Sequence, residues 1–272
     1  MPTQTEKAER FLALHQADQP LLMPNPWDRG SARLLAWVGF EALATTSSGF
    51  AATLGRLDGS VSRDEAIGHA AWVAAGTDLP VSADLENCFA DDPGGVAETI
   101  SLALGAGLAG CSIEDFARRD EDPIYDQALA ADRVAAAAEV AHGGPVRLVL
   151  TARAENYLRG KPYLADTIAR LQRYQEAGAD VLFAPGVNKL EEIAELVRSV
   201  DRPVNVLALP GTPPVAELAG VGVRRISVGG AFAFCALDAV ASAARELREH
   251  GSYGYWDRAM PGGAAARAAF GS

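Results

Sequence analysis

The chain has 272 residues, about half of them apolar, and a formal net charge of −11, with no apolar run long enough to span a bilayer. That charge argues against nucleic acid and anionic membranes as partners, but it leaves room for an anionic substrate where a bound metal and a few arginines reverse the sign locally. Cys88, Cys111 and Cys235 are too widely spaced for a disulfide framework or a zinc site, and the polar start, 1–7, lacks a signal-peptide core, which points to the cytoplasm. In chain order, a leading helix is expected over 6–16, with Phe11, Leu12 and Leu14 on its apolar face. An alternation then begins. Leu21, Leu22 and Met23 form a short apolar strand, and Asp28 can cap a helix over 31–38. A second strand over 42–46 runs into a long loop, 47–62, before a helix over 64–75. Strands over 80–86, 110–114, 146–153, 180–184, 203–207 and 225–228 follow. They alternate with helices over 95–104, 128–141, 164–177, 190–200 and 215–218, and a last long helix covers 231–249. Eight strands each followed by a helix, with no internal linker, predict a (β/α)8 TIM barrel occupying 1–272 as one domain. A doubly wound open sheet is the competing architecture, but no G-x-G-x-x-G follows the first strand.

The stretch 80–86 ends in two carboxylates, Asp84 and Glu86, which a period of two places on one side of a strand. Two partly desolvated acids repel, and a hard dication such as Mg2+ between them would relieve the repulsion. The bland alternative is a strand end running into a solvated turn. In a TIM barrel the active site lies at the C-terminal ends of the strands. Reading only those ends collects Ser47, Ser48 and Gly49, then Asp84 and Glu86, Glu114 and Asp115, Arg153 with Glu155, and Asn205. Glu114 adds a third acid to the candidate metal site. Arg153 offers a planar donor for a carboxylate, and Asn205 lies within reach of a substrate. The turn at Ser48, Gly49 and Phe50 has N–H groups suited to an anion.

These residues resemble the isocitrate lyase / phosphoenolpyruvate mutase superfamily over essentially the whole chain. The likeness rests on Ser48-Gly49-Phe50, Leu54-Gly55-Arg56-Leu57-Asp58, Ala83-Asp84-Leu85-Glu86, Ile113-Glu114-Asp115, Thr151-Ala152-Arg153-Ala154-Glu155 and Gly178-Ala179-Asp180, taken together in order. It implies a carboxylate-holding role for Ser48 and its turn, and an anchor for Mg2+ at Asp84. Asp58, Glu86 and Glu114 would complete the metal's shell through water, Arg153 would bind substrate, and Arg153, Asp58 and Glu114 would carry the catalytic work. It also implies a homodimer or homotetramer, with the final helix exchanged between subunits.

Departures from the family pattern bear on the reaction. Glu86 is followed by Asn87-Cys88-Phe89 rather than a glycine-rich turn. The loop after the fourth strand, 116–123, has no counterpart of the K-x-C-G-H motif of the carbon–carbon lyases, nor the Lys and Asn of the phosphonate branch. Phe183-Ala184-Pro185-Gly186 lacks the polar residue usual in both. Cys88 is expected to be a packed thiol, Cys111 and Cys235 core residues, and His15, His69, His142 and His250 structural or surface groups. Arg224 and Arg225 open the eighth strand and read as structural. Arg118, Arg119 or Tyr125 would bring a donor over the pocket if the loop closes as a lid; otherwise the loop is a solvated charge run. The expectation is a Mg2+-dependent enzyme that cleaves a C–C bond of a small α-oxo or hydroxy di-acid through an enolate, as a lyase or decarboxylase. P–C chemistry on a phosphonopyruvate-like compound and a catalytically reduced α-oxo acid binding protein are the alternatives.

Overall fold

A computed structural model of the protein describes residues 2–271. In chain order its elements are α1 (Gln4–Leu14), β1 (Leu21–Met23), α2 (Arg29–Val38), β2 (Leu43–Ala44), α3 (Ser47–Thr53), α4 (Arg63–Ala74), β3 (Val81–Asp84), α5 (Pro93–Gly105), β4 (Gly110–Glu114) and α6 (Gln127–Gly143). They continue with β5 (Val149–Arg153), α7 (Leu164–Glu176), β6 (Val181–Phe183), α8 (Leu190–Arg198), β7 (Val204–Leu207), α9 (Val215–Gly220), β8 (Arg225–Ser227), α10 (Ala231–His250) and α11 (Trp256–Phe270). The eight strands pair in parallel in the order β1-β8-β7-β6-β5-β4-β3-β2. One backbone bond, from Ala44 N–H to the Pro24 carbonyl at 3.1 Å, joins the two end strands and brings the sheet to near closure. Asn25 reinforces the seam, donating to the Thr45 carbonyl at 3.0 Å and accepting from the N–H groups of Val228 and Gly229. The result is the (β/α)8 TIM barrel expected from the alternation.

The period of two sends successive side chains to different places. On β5, Leu150 and Ala152 join the apolar layer between barrel and helices, as do Cys111 and Ile113 on β4 and Val204 and Val206 on β7. Thr151 and Arg153, between them in register, turn to the barrel axis. At the N-terminal end a second apolar cluster unites Leu21, Met23, Val149 and Val181 with Phe11 of α1, which plugs the barrel. Gly110 makes this possible, because a Cβ there would stand 2.8 Å from the Phe11 ring and 2.6 Å from the Val149 carbonyl.

Helix starts follow ordinary capping chemistry. Thr3 with Glu6, Asp28 with Ser31, and Ser62 with Glu65 form reciprocal boxes, and each satisfies N–H groups that would otherwise have no acceptor. The structure corrects the sequence expectation in three places. The segment 47–62 is not all loop, since Thr46 caps the short helix α3. A further helix, α11, follows α10 and packs back on α2. Cys235, expected in the core, is exposed, because α10 stands away from the barrel with only Ala233 buried among its 20 residues. Among the described residues no helix is long and apolar enough to cross a membrane.

Candidate active site

The C-terminal ends of the strands surround a cavity of about 210 Å3, whose wall includes Ser48, Asp58, Asp84, Arg153, Arg159 and Arg225. Ser48 lies in the first turn of α3 rather than in a free turn. Its hydroxyl is 3.2 Å from that of Thr46, and it fits beside Gly230, where a Cβ would come within 2.5 Å of Ser48 Oγ. Gly49 and Phe50 face elsewhere. A Cβ on Gly49 would meet Thr46, Trp27 and Ala233, and the Phe50 ring stacks on His69 at 3.8 Å. Asp58 reaches the cavity from the exposed loop after α3.

Arg153 is the hub. Its Nη1 donates to Asp84 at 3.0 Å, Nη2 lies 2.6 Å from Glu155 and 3.1 Å from Glu114, and Nε donates to Glu155 at 3.1 Å. Burial disfavours its charge, but Glu155, Glu114 and Asp84 override that and raise its pKa. Glu155 is fully buried and also accepts from Arg159, whose guanidinium lies 3.5 Å from the Phe116 ring centroid. Glu114 is buried behind Arg153. Burial pushes its pKa well above the carboxylate range, and Glu155, Asp84 and Glu86 add to the rise against the pull of Arg153. Asp84 also accepts from Ser47 N–H at 3.1 Å, which ties α3 to β3.

Beyond β3 the chain turns sharply. Glu86, Cys88 and Phe89 have φ of 52°, 57° and 55°, a left-handed region that disfavours residues with a Cβ. The turn is held from beneath by Arg133, 1 % exposed, which donates to the carbonyls of Asn87 at 2.5 Å and Ala90 at 3.0 Å. Thr99 donates to the Cys88 carbonyl at 2.7 Å. Cys88 is a fully buried thiol whose pKa burial raises, as a packed group should be. Burial, then Asp84, pushes Glu86 up to about 7. The only cation paired with Glu86 among the described residues is Arg118, which comes from the loop after β4 and also donates to the Gly59 carbonyl at 3.2 Å. Arg118 therefore bridges the two loops over the mouth. Its neighbour Arg119 pairs with Asp91, which also accepts from Tyr125.

The phosphoenolpyruvate phosphomutase family model matches residues 11–248. The chain belongs to that family. It is 50% identical to a solved structure from Burkholderia cenocepacia J2315 named as a lyase/mutase, with a TM-score of 0.94, covering 97% of this chain and 95% of the other. It is 35% identical to an uncharacterized protein of Mycobacterium tuberculosis, over 88% of this chain and 89% of that one. It is also 28% identical to the 2-methylisocitrate lyase of Halalkalibacterium halodurans, over 74% and 67% of the two chains. Against the oxaloacetate decarboxylase of Chromohalobacter salexigens the figures are 27%, 91% and 88%.

In this family member the acids at the mouth outnumber the cations that touch them. The donors are all oxygens, which suits a hard dication. Among the described residues no three acids, histidines or cysteines are grouped closely enough to hold an ion by themselves. An ion here would keep water in its shell, as Mg2+ prefers to do. Glu155, beside Arg153 in the strand-end set, is the shared carboxylate of two arginines, on the side its spacing indicates. Asn205 is buried below the mouth, where it accepts from Arg225 and donates to Ser227 at 3.0 Å each. Arg225, although it opens β8, lines the cavity floor. Arg224 does stay outside, donating to the carbonyls of Ala17 and Asp18.

Proposed function

We propose that the protein is a Mg2+-dependent enzyme that cleaves a C–C bond beside the carbonyl of a small α-oxo or hydroxy di-acid, as a lyase or decarboxylase. The observation that carries this reading is the ring of Asp84, Glu114 and Glu155 around Arg153 at the strand ends, in a family whose named members include 2-methylisocitrate lyase and oxaloacetate decarboxylase. Asp84 would hold the ion, with Glu86, Glu114 and Asp58 reaching it through water. Bound there, Mg2+ would polarise the substrate carbonyl and offset the charge of an enolate. Ser48 would orient the substrate carboxylate. Arg153, drawn partly away from Asp84, would donate to the substrate from Nη1 while Glu155 keeps its plane fixed. Arg118, spanning Glu86 and Gly59, would exclude water from the mouth. The loop 116–123 has no cysteine, lysine or histidine, so the final proton would come from water. That same lack favours one other reading, an α-oxo acid binding protein with catalysis lost.

Turnover separates the two. With Mg2+, a panel of oxaloacetate, isocitrate, 2-methylisocitrate and phosphonopyruvate should release pyruvate or glyoxylate from one member. Tight Mg2+-dependent binding of oxalate and pyruvate by calorimetry without turnover would leave only the binding reading. Phosphate release would move the protein to the phosphonate branch. No binding and no turnover would defeat all three.

We infer further that the protein assembles with copies of itself through its C-terminal helices. Phe234, Leu237 and Val240 of α10 and Trp256 and Met260 of α11 are half-exposed or more, and clustered exposed apolar side chains of this kind mark protein–protein contacts. Light scattering should give a dimer or tetramer that Val240→Glu dissociates; a wild-type monomer would refute the inference.

A further inference from the structure

Arg225 is 3 % exposed and forms part of the cavity floor. Its hydrogen bonds go only to neutral groups: Nε to Asn205 Oδ1 at 3.0 Å, and Nη1 to Thr151 Oγ1 at 3.0 Å and to His15 Nε2 at 3.3 Å. His15 Nδ1 lies 2.7 Å from the Phe11 carbonyl and donates to it, while Arg225 Nη1, which can only donate, requires Nε2 to accept, so the imidazole is neutral. Among the described residues no carboxylate pairs with Arg225, and its Nη2 has no acceptor. The charge acting on it is a repulsive one, from Arg153 above. Burial, then that repulsion, bring its pKa down to about 9.

A guanidinium buried without a counter-charge is costly to desolvate. TIM-barrel interiors are ordinarily filled by branched aliphatic side chains. Here Ser82, Ser112 and Ser227 line the same space, with Thr151 and Asn205 packed around the cation. Ser227 Oγ accepts from Asn205 Nδ2, so its own O–H is free to donate into the cavity. A cation with a vacant N–H pair, a free hydroxyl and open volume in front of them make a receptor for negative charge.

We propose that the barrel floor is a binding subsite for one small planar oxyanion of the carboxylate class, held by Arg225 Nη2 and Ser227 Oγ. This goes beyond the reading of the mouth and does not depend on a metal. The anion is either the far carboxylate of the substrate or a separate small carboxylate; the chemistry of recognition is the same.

Formate is the probe. Calorimetry on the whole protein without Mg2+ should show saturable binding of one formate per chain. Arg225→Gln should weaken it at least about tenfold, the size of a lost charged hydrogen bond, and Arg225→Lys should retain part of it. Asp84→Ala should leave it intact, so that failure of the metal reading and failure of this one are told apart. Oxaloacetate should compete with formate if the subsite takes the substrate's own carboxylate, and should bind alongside it if the anion is separate. If Arg225→Gln does not fold, bromide soaked into crystals of the wild-type protein decides the matter, with an anomalous peak expected beside Arg225 Nη2. Wild type indifferent to formate, equal formate binding in a folded Arg225→Gln protein, or bromide absent from the floor would overturn the proposal.

Discussion

At the mouth of the barrel one guanidinium, Arg153, is shared among Asp84, Glu114 and Glu155; at the floor another, Arg225, meets only a histidine, an amide and a hydroxyl. Arg225 is buried and Arg153 is partly so, yet their pKa values move in opposite directions, up for Arg153 and down to about 9 for Arg225. Burial alone therefore does not set the behaviour of a charge in this barrel. What matters is whether counter-charges are present to offset lost hydration. The mouth has carboxylate to spare and suits a cation. The floor has a cation to spare and suits an anion. A di-acid chelating a metal at one end and reaching inward at the other would satisfy both.

The largest effect is expected at the mouth. Asp84→Ala removes the acid that touches both Arg153 Nη1 and Ser47 N–H. It should lower kcat/KM on whichever panel substrate turns over by about a thousandfold, the scale of losing a principal electrostatic stabiliser. Steady-state kinetics at saturating Mg2+ would check this, and a loss below tenfold would remove Asp84 from the centre of the chemistry. Next comes the hub itself. Arg153→Ala leaves two buried carboxylates, Glu114 and Glu155, and the partly buried Asp84 facing one another and should destabilise the fold by about 3–5 kcal/mol, as breaking a buried ion pair does. If the mouth selects cations, Mg2+ should restore part of that loss in urea unfolding while leaving the wild type less affected. Equal Mg2+ responses in the two proteins would mean that the acids are matched to Arg153 alone.

Much of the mouth was legible in the sequence because two simple rules meet there. A period of two puts Asp84, Glu114 and Arg153 on the axis side, and the barrel puts their strand ends together. Glu155 follows the same period beyond Arg153 and was open to the same reasoning. The floor was not legible. Register places Arg225 at the N-terminal end of β8, but its side chain turns inward to Asn205, Thr151 and His15 and lines the cavity floor, and only packing decides which way it goes. The turn at 86–89 was hidden for the opposite reason: three residues with a Cβ occupy left-handed backbone that sequence rules assign to glycine, and the support comes from Arg133, far away in the chain. α11 was masked by Pro261, Gly262 and Gly263 within it, residues that normally punctuate loops. Ser48-Gly49-Phe50 looked like a turn for the same reason, although Thr46 ahead of it is a serviceable cap.

The smallest of the expected effects tests the floor through pH. Burial, then Arg225, hold the His15 pKa down to about 3, against small opposing contributions from the Phe11 carbonyl and Asp180. In the unfolded chain the imidazole titrates near its ordinary value of about 6.5. Its contribution to stability is therefore full above that pH and is lost as the pH falls toward 3, because the unfolded state gains a proton that the folded state refuses. Each pH unit inside the window removes up to about 1.4 kcal/mol. His69, also shifted down by burial, adds a loss of the same sign. His15→Gln should accordingly flatten, without abolishing, the fall in urea midpoint between pH 6 and 4, and an unchanged slope would show that His15 is not the group refusing the proton. Formate sharpens the comparison further. An anion beside Arg225 would lessen the repulsion on a protonated His15, so the wild-type slope should flatten in formate and the His15→Gln slope should not. If both slopes respond alike, the anion acts elsewhere in the protein, and the contrast between mouth and floor would rest on the arginines alone.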